Sequence, residues 1–150
     1  MNFDALRRFF QSLLGVGRPS PVNGAQFEFP ERAQMERQLH ERDERFLKVF
    51  QISPVAISIT RLNDGMLMEA NQAFWNLTDF DPETSIGSTT VDLKLWGSQE
   101  ERQQFIKKLL ERKSLSNPDH EFFNGNGKRR VVAAFHELID RGDEPTILSM

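Results

Sequence analysis

Residues 45–60 read RFLKVFQISPVAISIT, and within this stretch the pattern changes from helical to strand-like. Pro54 ends the helical part, because proline lacks the amide hydrogen that a helix interior requires. Residues 55–60 are rich in β-branched side chains and predict a strand. The turn-forming sequence NDG at 63–65 follows, before a second short apolar run at 66–69. The sequence therefore predicts a β-hairpin directly after a helix.

Downstream of this hairpin, the patterning predicts two helices and then three strands. Asn71 is suited to cap a helix over residues 71–78, because its side chain can accept a backbone N–H. Ser98 is a similar cap for a helix over residues 98–113, which has acidic residues in its first turn. The order of elements predicts an α+β fold with an antiparallel sheet. Its last three strands are expected at residues 120–123, 129–139 and 146–149.

Upstream of the hairpin, residues 31–50 form a leading helix with five acidic and five basic residues. Its apolar residues follow the spacing of a coiled-coil seam, in which Arg42 occupies one position. Pairing with another helix and a solvated helix with one apolar edge are both open on this pattern alone. The seam, which is the candidate dimer interface, consists of Met35, Leu39, Phe46 and Val49.

Residues 1–30 are expected to form an amphipathic helix followed by a flexible linker. The helix covers residues 3–14, and glycines and prolines are concentrated in residues 15–24. Packing or self-association is the favoured role of this helix. Contact with a membrane surface through Arg7 and Arg8 is the alternative. The order of basic and apolar residues does not match a signal peptide.

Composition excludes several classes of function. The 150 residues carry a formal net charge of -3, which gives no basic surplus for binding nucleic acid. The chain has no cysteine, and this excludes disulfides, thiolate metal ligands and cysteine nucleophiles. No apolar run is long enough to span a membrane. A cytoplasmic location is therefore expected.

Catalytic and metal-binding motifs are not recognisable. The three histidines, His40, His120 and His136, show no metal-ligand spacing, so no metal site is expected. The sequence NGNGK at 124–128 lacks the spacing of a phosphate loop and predicts a hairpin turn. The one enzymatic alternative is a small α+β enzyme that uses His136 with a nearby carboxylate as an acid/base pair.

Several segments in combination resemble the PAS family of sensory domains. They are the stretch at 45–60, EANQAF at 69–74, LTDF at 77–80 and SIG at 85–87. The later half agrees through LW at 95–96, the helix around Glu101 and Arg102, EF at 121–122 before GNGK, and DEPTIL at 143–148. The resemblance covers residues 43–150, and the joint spacing of the segments is more specific than any one of them.

The resemblance implies a five-stranded antiparallel sheet with helices on one face and a cavity between the two layers. It also implies that the leading helix serves as a dimer contact and signal relay. The expected divisions of the chain are an amphipathic helix and linker at residues 1–30, the leading helix at 31–50 and the PAS domain at 51–150. The final strand is expected to be incomplete, because the Asp-Ile-Thr-like ending of such domains is missing after Leu148.

The function implied is that of a non-enzymatic input module in bacterial signalling. It would act on an effector outside this chain, either a histidine kinase of a two-component system or a cyclic-dinucleotide enzyme. A homodimer is expected.

Strand alternation, combined with the family pattern, predicts which side chains face the cavity. The strands contribute residues of one face, and the helices contribute apolar residues that cover them. A solidly packed core is the alternative for the same set. The predicted pocket residues are Ser58, Thr60, Phe74, Leu77, Phe105, Leu109, Val132, Ala134, His136 and Ile147.

The same resemblance limits the cofactors. Members that form a flavin photoadduct need a cysteine, which this chain lacks. Haem is disfavoured because the helix at 98–113 contains no histidine. Flavin held without a covalent bond stays open, with Trp96 as a stacking partner. We expect no bound cofactor and a small, mainly apolar pocket.

Overall fold

The computed structural model describes residues 29–139 and 144–150. The amphipathic helix predicted at 3–14 and its linker lie outside the described residues. The chain divides between Phe50 and Gln51 into two units. None of the described helices combines the length and the apolar character that crossing a membrane requires.

The leading helix, α1, covers Phe29–Ile52, so it extends two residues beyond the predicted range at each end. Its seam residues differ in exposure. Met35 is 74% exposed and Val49 is 62% exposed, whereas Leu39 and Phe46 are half-buried. Two apolar side chains of the predicted interface are thus directed to solvent in the single chain.

The second unit contains a five-stranded antiparallel sheet, which confirms the predicted α+β fold. Its strands follow the order β2-β1-β5-β4-β3, so the first and last strands in the sequence pair at the centre. All four neighbouring pairs are antiparallel. The strands are β1 Ser58–Arg61, β2 Leu67–Ala70, β3 Ser114–Phe123, β4 Arg129–Ile139 and β5 Thr146–Ser149.

Three helices lie between β2 and β3, and a side chain caps the start of each. They are α2 Gln72–Thr78, α3 Pro82–Ser85 and α4 Gln99–Arg112. Asn71 and Ser98 cap α2 and α4 as predicted. The short helix α3 was not predicted. It forms because Asp81 caps it and proline is tolerated in a first helical turn.

The predicted start of β1 was wrong, because residues 55–57 are bonded differently from a strand. The carbonyl of Val55 accepts from Asn71 Nδ2 at 2.8 Å, and the Ile57 amide donates to Asn71 Oδ1 at 2.9 Å. One buried side chain therefore replaces the sheet partner of this segment. The regular ladder begins only at Ser58.

The predicted start of β3 was also wrong, since the strand begins at Ser114 and passes through Pro118. Proline interrupts central strands, but β3 is an edge strand. Its register with β4 shifts between Asn117 and His120, where the proline lies. The irregularity absorbs the missing donor without ending the strand.

The turn between β3 and β4 has the predicted hairpin character. Asn124 Oδ1 accepts from the backbone N–H groups of Lys128 at 2.8 Å and Asn126 at 3.2 Å. Asn124 Nδ2 donates to Asp79 Oδ2 at 2.6 Å, and Asp79 is the left-handed residue that ends α2. The hairpin turn is thereby attached to the end of the helix.

Among the described residues of the second unit, two clusters of buried apolar side chains contribute to the core. Leu67, Ala70, Phe74 and Trp75 are buried together where α2 meets β2. Leu62, Leu109 and Ile147 are buried together beneath α4.

Candidate functional site

A cavity of about 280 Å³ lies between the inner face of the sheet and the helices α2 and α4. Strands β1, β3, β4 and β5 supply one wall, and the two helices with the segment between α3 and α4 supply the other. Alternation along β4 explains the inner wall, since Val131 and Phe135 are exposed on the outer face. Nine of the predicted pocket residues lie around this cavity: Ser58, Thr60, Phe74, Leu77, Phe105, Val132, Ala134, His136 and Ile147.

The tenth predicted pocket residue, Leu109, does not line the cavity. It is fully buried against Leu62 and Ile147 in the second core cluster. Phe105 precedes it by about one helical turn and occupies the cavity wall instead. Leu109 therefore belongs to the packed layer next to the cavity.

His136 is the polar centre of the cavity. Its Nδ1 lies 2.8 Å from Ser149 Oγ, on the neighbouring strand β5. The residue is only 5% exposed, and its Nε2 is buried without a hydrogen-bond partner. Burial and, to a smaller extent, the charge of the adjacent His120 lower the pKa of His136 to about 4. The ring is consequently neutral near pH 7.

The rings of Trp96, Phe105 and His120 form a continuous aromatic wall with the ring of His136. The Trp96 and Phe105 ring centres are 4.6 Å apart, and those of Phe105 and His136 are 4.7 Å apart. His120 lies 4.9 Å from Trp96 and 6.2 Å from His136. Burial lowers the pKa of His120, although a backbone hydrogen bond at Leu95 and the charge of Glu101 oppose this.

Sequence reasoning did not place His120 in the pocket. In the structure it pairs with Val132 across the β3–β4 ladder and therefore faces the same side. The inward position of Val132 could have identified it, had the register been known. The shift near Pro118 conceals that register in the sequence.

Thr90 also lines the cavity and was missed. Its hydroxyl oxygen is buried without a hydrogen-bond partner, and the residue is 5% exposed. Thr90 lies in the irregular segment between α3 and α4, for which periodicity makes no prediction. With His136 Nε2, it is a second unpaired polar atom at this cavity.

Arg102 brings a positive charge to the cavity wall from α4. It is buried, and its guanidinium donates to the carbonyls of Leu62 at 2.7 Å and Arg61 at 3.3 Å. Burial lowers its pKa, and the charge of Asp64 raises it. Gly65 leaves room for this group, since a Cβ there would lie 2.5 Å from Arg102 Nε.

The enzymatic alternative requires a carboxylate within hydrogen-bond reach of His136. Among the described residues, the cavity lining contains neither aspartate nor glutamate. The hydrogen-bond partner of His136 Nδ1 is the hydroxyl of Ser149. Nor do three potential metal ligands of the His, Cys, Asp or Glu type come together within residues 29–139 and 144–150. The geometry can hold a small molecule but offers it no carboxylate for acid/base chemistry.

No family model matches the sequence, and no curated protein matches it. Solved structures do match. The PAS domain of an HTR-like protein from Haloarcula marismortui is 20% identical with a TM-score of 0.68, over 78% of this chain and 95% of that one.

A domain of a sensory box sensor histidine kinase/response regulator from Geobacter sulfurreducens has 13% identity and a TM-score of 0.61, covering 74% of this chain and 93% of that one. A PAS domain from a two-component sensor histidine kinase has 9% identity and a TM-score of 0.60, over 75% and 95% of the two chains. These likenesses agree with the strand order and with the motifs in the sequence. The chain contains a domain with the PAS fold.

Proposed function

We propose that this chain is a non-enzymatic sensory input module whose signal is a small molecule in the cavity. The observation that carries the proposal is the pair of unpaired buried polar atoms, His136 Nε2 and Thr90 Oγ1, at one mainly apolar cavity. Folded proteins rarely leave buried polar atoms without partners, because each such atom loses its hydration. A bound molecule would supply those partners.

The effector proposed is a histidine kinase or a cyclic-dinucleotide enzyme. Two of the similar structures are described as parts of sensor histidine kinases, which supports the first choice. An effector of this kind would read a change in α1 or in the sheet when the cavity becomes occupied.

A homodimer through the α1 seam is part of the proposal. Its support is the exposure of Met35 and Val49, because apolar side chains at coiled-coil positions are stabilised when a second helix covers them. Arg42 in the seam would weaken the pairing and make it adjustable.

Light scattering on the full chain tests the dimer. We expect a dimer for the native chain and a monomer for Leu39→Glu, which puts a charge into the seam. Arg37→Glu is the matched control, since it places a glutamate on the opposite side of the same helix, and it should stay dimeric. A native chain that is monomeric at high micromolar concentration would contradict the pairing.

We further propose that the cavity holds no coloured cofactor. Its volume of about 280 Å³ is less than twice the ~150 Å³ of a cavity that accepts benzene. A cavity of this size is small for the three fused rings and the side chain of a flavin. The absorption spectrum of the purified chain should be clear in the visible range. A Soret band or flavin bands would overturn this part of the proposal.

A further inference from the structure

We propose that the cavity selects an uncharged, planar aromatic compound of one or two rings with a polar atom on its edge. This inference rests on the proposed function, because it names the class of molecule that would occupy the same cavity. It is argued from the size of the cavity, the rings around it, its charges and its unpaired polar atoms.

The size of the cavity limits the number of rings in the ligand. An apolar cavity of ~150 Å³ accepts one benzene ring, and the present cavity measures about 280 Å³. One or two fused rings therefore fill it without displacing the walls.

The wall favours a flat π-system over a flexible chain. Trp96, Phe105, His120 and His136 surround the site with ring centres 4.6 to 6.3 Å apart. A planar ring can meet such rings edge-to-face or in an offset stack, the two arrangements that aromatic quadrupoles prefer. A saturated chain of equal volume has no such interaction and loses more conformational freedom on binding.

The charges of the lining favour a neutral compound. His136 and His120 both have lowered pKa values, so neither offers a counter-charge near pH 7. The guanidinium of Arg102 already donates to the carbonyls of Arg61 and Leu62. An anion or cation entering the cavity would lose its hydration without a dedicated partner.

The polar atom expected on the edge of the ligand follows from the unpaired Nε2 of His136. Its Nδ1 contacts the hydroxyl of Ser149, which can both donate and accept, so Nε2 can take either role. The hydroxyl of Thr90 has the same freedom. The site can thus satisfy either an aromatic N–H or O–H donor or a ring-nitrogen acceptor.

The test is an amide NMR titration of the full chain with four probes of similar shape: indole, quinoline, indene and indole-3-carboxylate. Indole carries a donor, quinoline an acceptor and indene neither, while the carboxylate adds a charge. We expect indole or quinoline to shift the amides of Phe105, Ala134 and His136. Indene and the carboxylate should each bind about tenfold more weakly than the better of these two.

Variants separate the polar contact from simple packing. His136→Phe keeps a ring but removes Nε2, and it should abolish the advantage of the preferred probe over indene. Thr90→Val tests the second polar atom independently, should the histidine variant fail to fold. Phe135→Leu on the outer face of β4 is the control and should leave every affinity unchanged, since that side chain points away from the cavity.

The outcomes of these experiments distinguish the proposed ligand class from the proposed sensing of a small molecule, on which it rests. Equal affinity for indene, or tighter binding of the carboxylate, overturns the proposed ligand class. Shifts caused by hexanol but by no aromatic probe also overturn it, while the cavity remains a ligand site. If neither these probes nor xenon shift the cavity resonances, the cavity is closed to ligands and both proposals fall.

Discussion

His136 and Ser149 face each other across the β4–β5 ladder, with Nδ1 and Oγ 2.8 Å apart. Within the described part of the chain, this hydroxyl is the only hydrogen-bond partner of the ring. A neutral hydroxyl does not compensate a positive charge, so this pair holds the imidazole in place without favouring its protonation.

Acid should therefore destabilise the protein through His136. The pKa is about 4 in the folded state and near 6.5 in the unfolded state, so the unfolded chain binds the proton first as the pH falls. The stability due to the neutral ring is present above pH 6.5 and is lost as the pH falls toward 4. Between pH 7 and pH 5 the free energy of unfolding should fall by about 2 kcal/mol from this group.

Urea unfolding of the native chain and of His136→Phe at both pH values measures this loss. The variant has no imidazole at this position. Between pH 7 and pH 5 its free energy of unfolding should therefore fall by about 2 kcal/mol less than that of the native chain. The ring proton resonances of His136 should also titrate well below pH 6 in the folded protein. Titration near 6.5 would contradict the burial of the neutral ring.

Replacing Arg102 with methionine should lower the free energy of unfolding by about 2 kcal/mol. Methionine keeps the apolar stem of the side chain but removes the donor that lies 2.7 Å from the carbonyl of Leu62. The control is Lys108→Met, which removes a charge from an exposed position of the same helix. Equal losses for the two variants, measured by urea unfolding, would show that the buried hydrogen bonds do not stabilise the fold.

Alanine substitutions at Gly65 and Gly127 should distinguish the cost of backbone strain from the cost of a steric clash. Both have positive φ angles, +77° and +72°, so alanine should cost each about 1 kcal/mol through the backbone. At Gly65 the new Cβ would also lie 2.7 Å from Thr90 Oγ1, whereas nothing lies within 4 Å at Gly127. Thermal unfolding should show a clearly larger loss for Gly65→Ala, and equal losses would argue against this close packing.

Asn71→Asp should destabilise the protein more than the loss of an ordinary helix cap. Aspartate can still accept from the Phe74 amide, but it loses the donor to the Val55 carbonyl and places a charge beside that oxygen. We expect a loss of about 2–3 kcal/mol in the free energy of unfolding. Ser98→Ala, at the exposed cap of α4, should cost about 1 kcal/mol. A smaller loss for Asn71→Asp than for Ser98→Ala would show that the Val55 contact is unimportant.

Interactions between residues close together in the sequence made several elements predictable. The caps at Asn71 and Ser98 satisfy the first free amides of a helix, which is a contact over three residues. The hairpin turn at 124–128 and the last strand at 146–149 likewise follow from short-range signals. Alternation along β4 separated inward from outward residues because side chains change face at every position.

By itself, the sequence determined the order of the strands and the caps at Asn71 and Ser98, since these depend on neighbours along the chain. Strand alternation combined with the family pattern also predicted nine of the 21 residues that line the cavity in the described part of the chain. Tertiary structure decided the rest, because those features depend on residues far apart in sequence. Asn71 meets Val55 only when the chain turns back. The position of Leu109 beneath Ile147, the contact of Arg102 with Leu62, and the meeting of His120, Trp96 and His136 all depend on strand register and helix packing. No local pattern encodes those long-range distances.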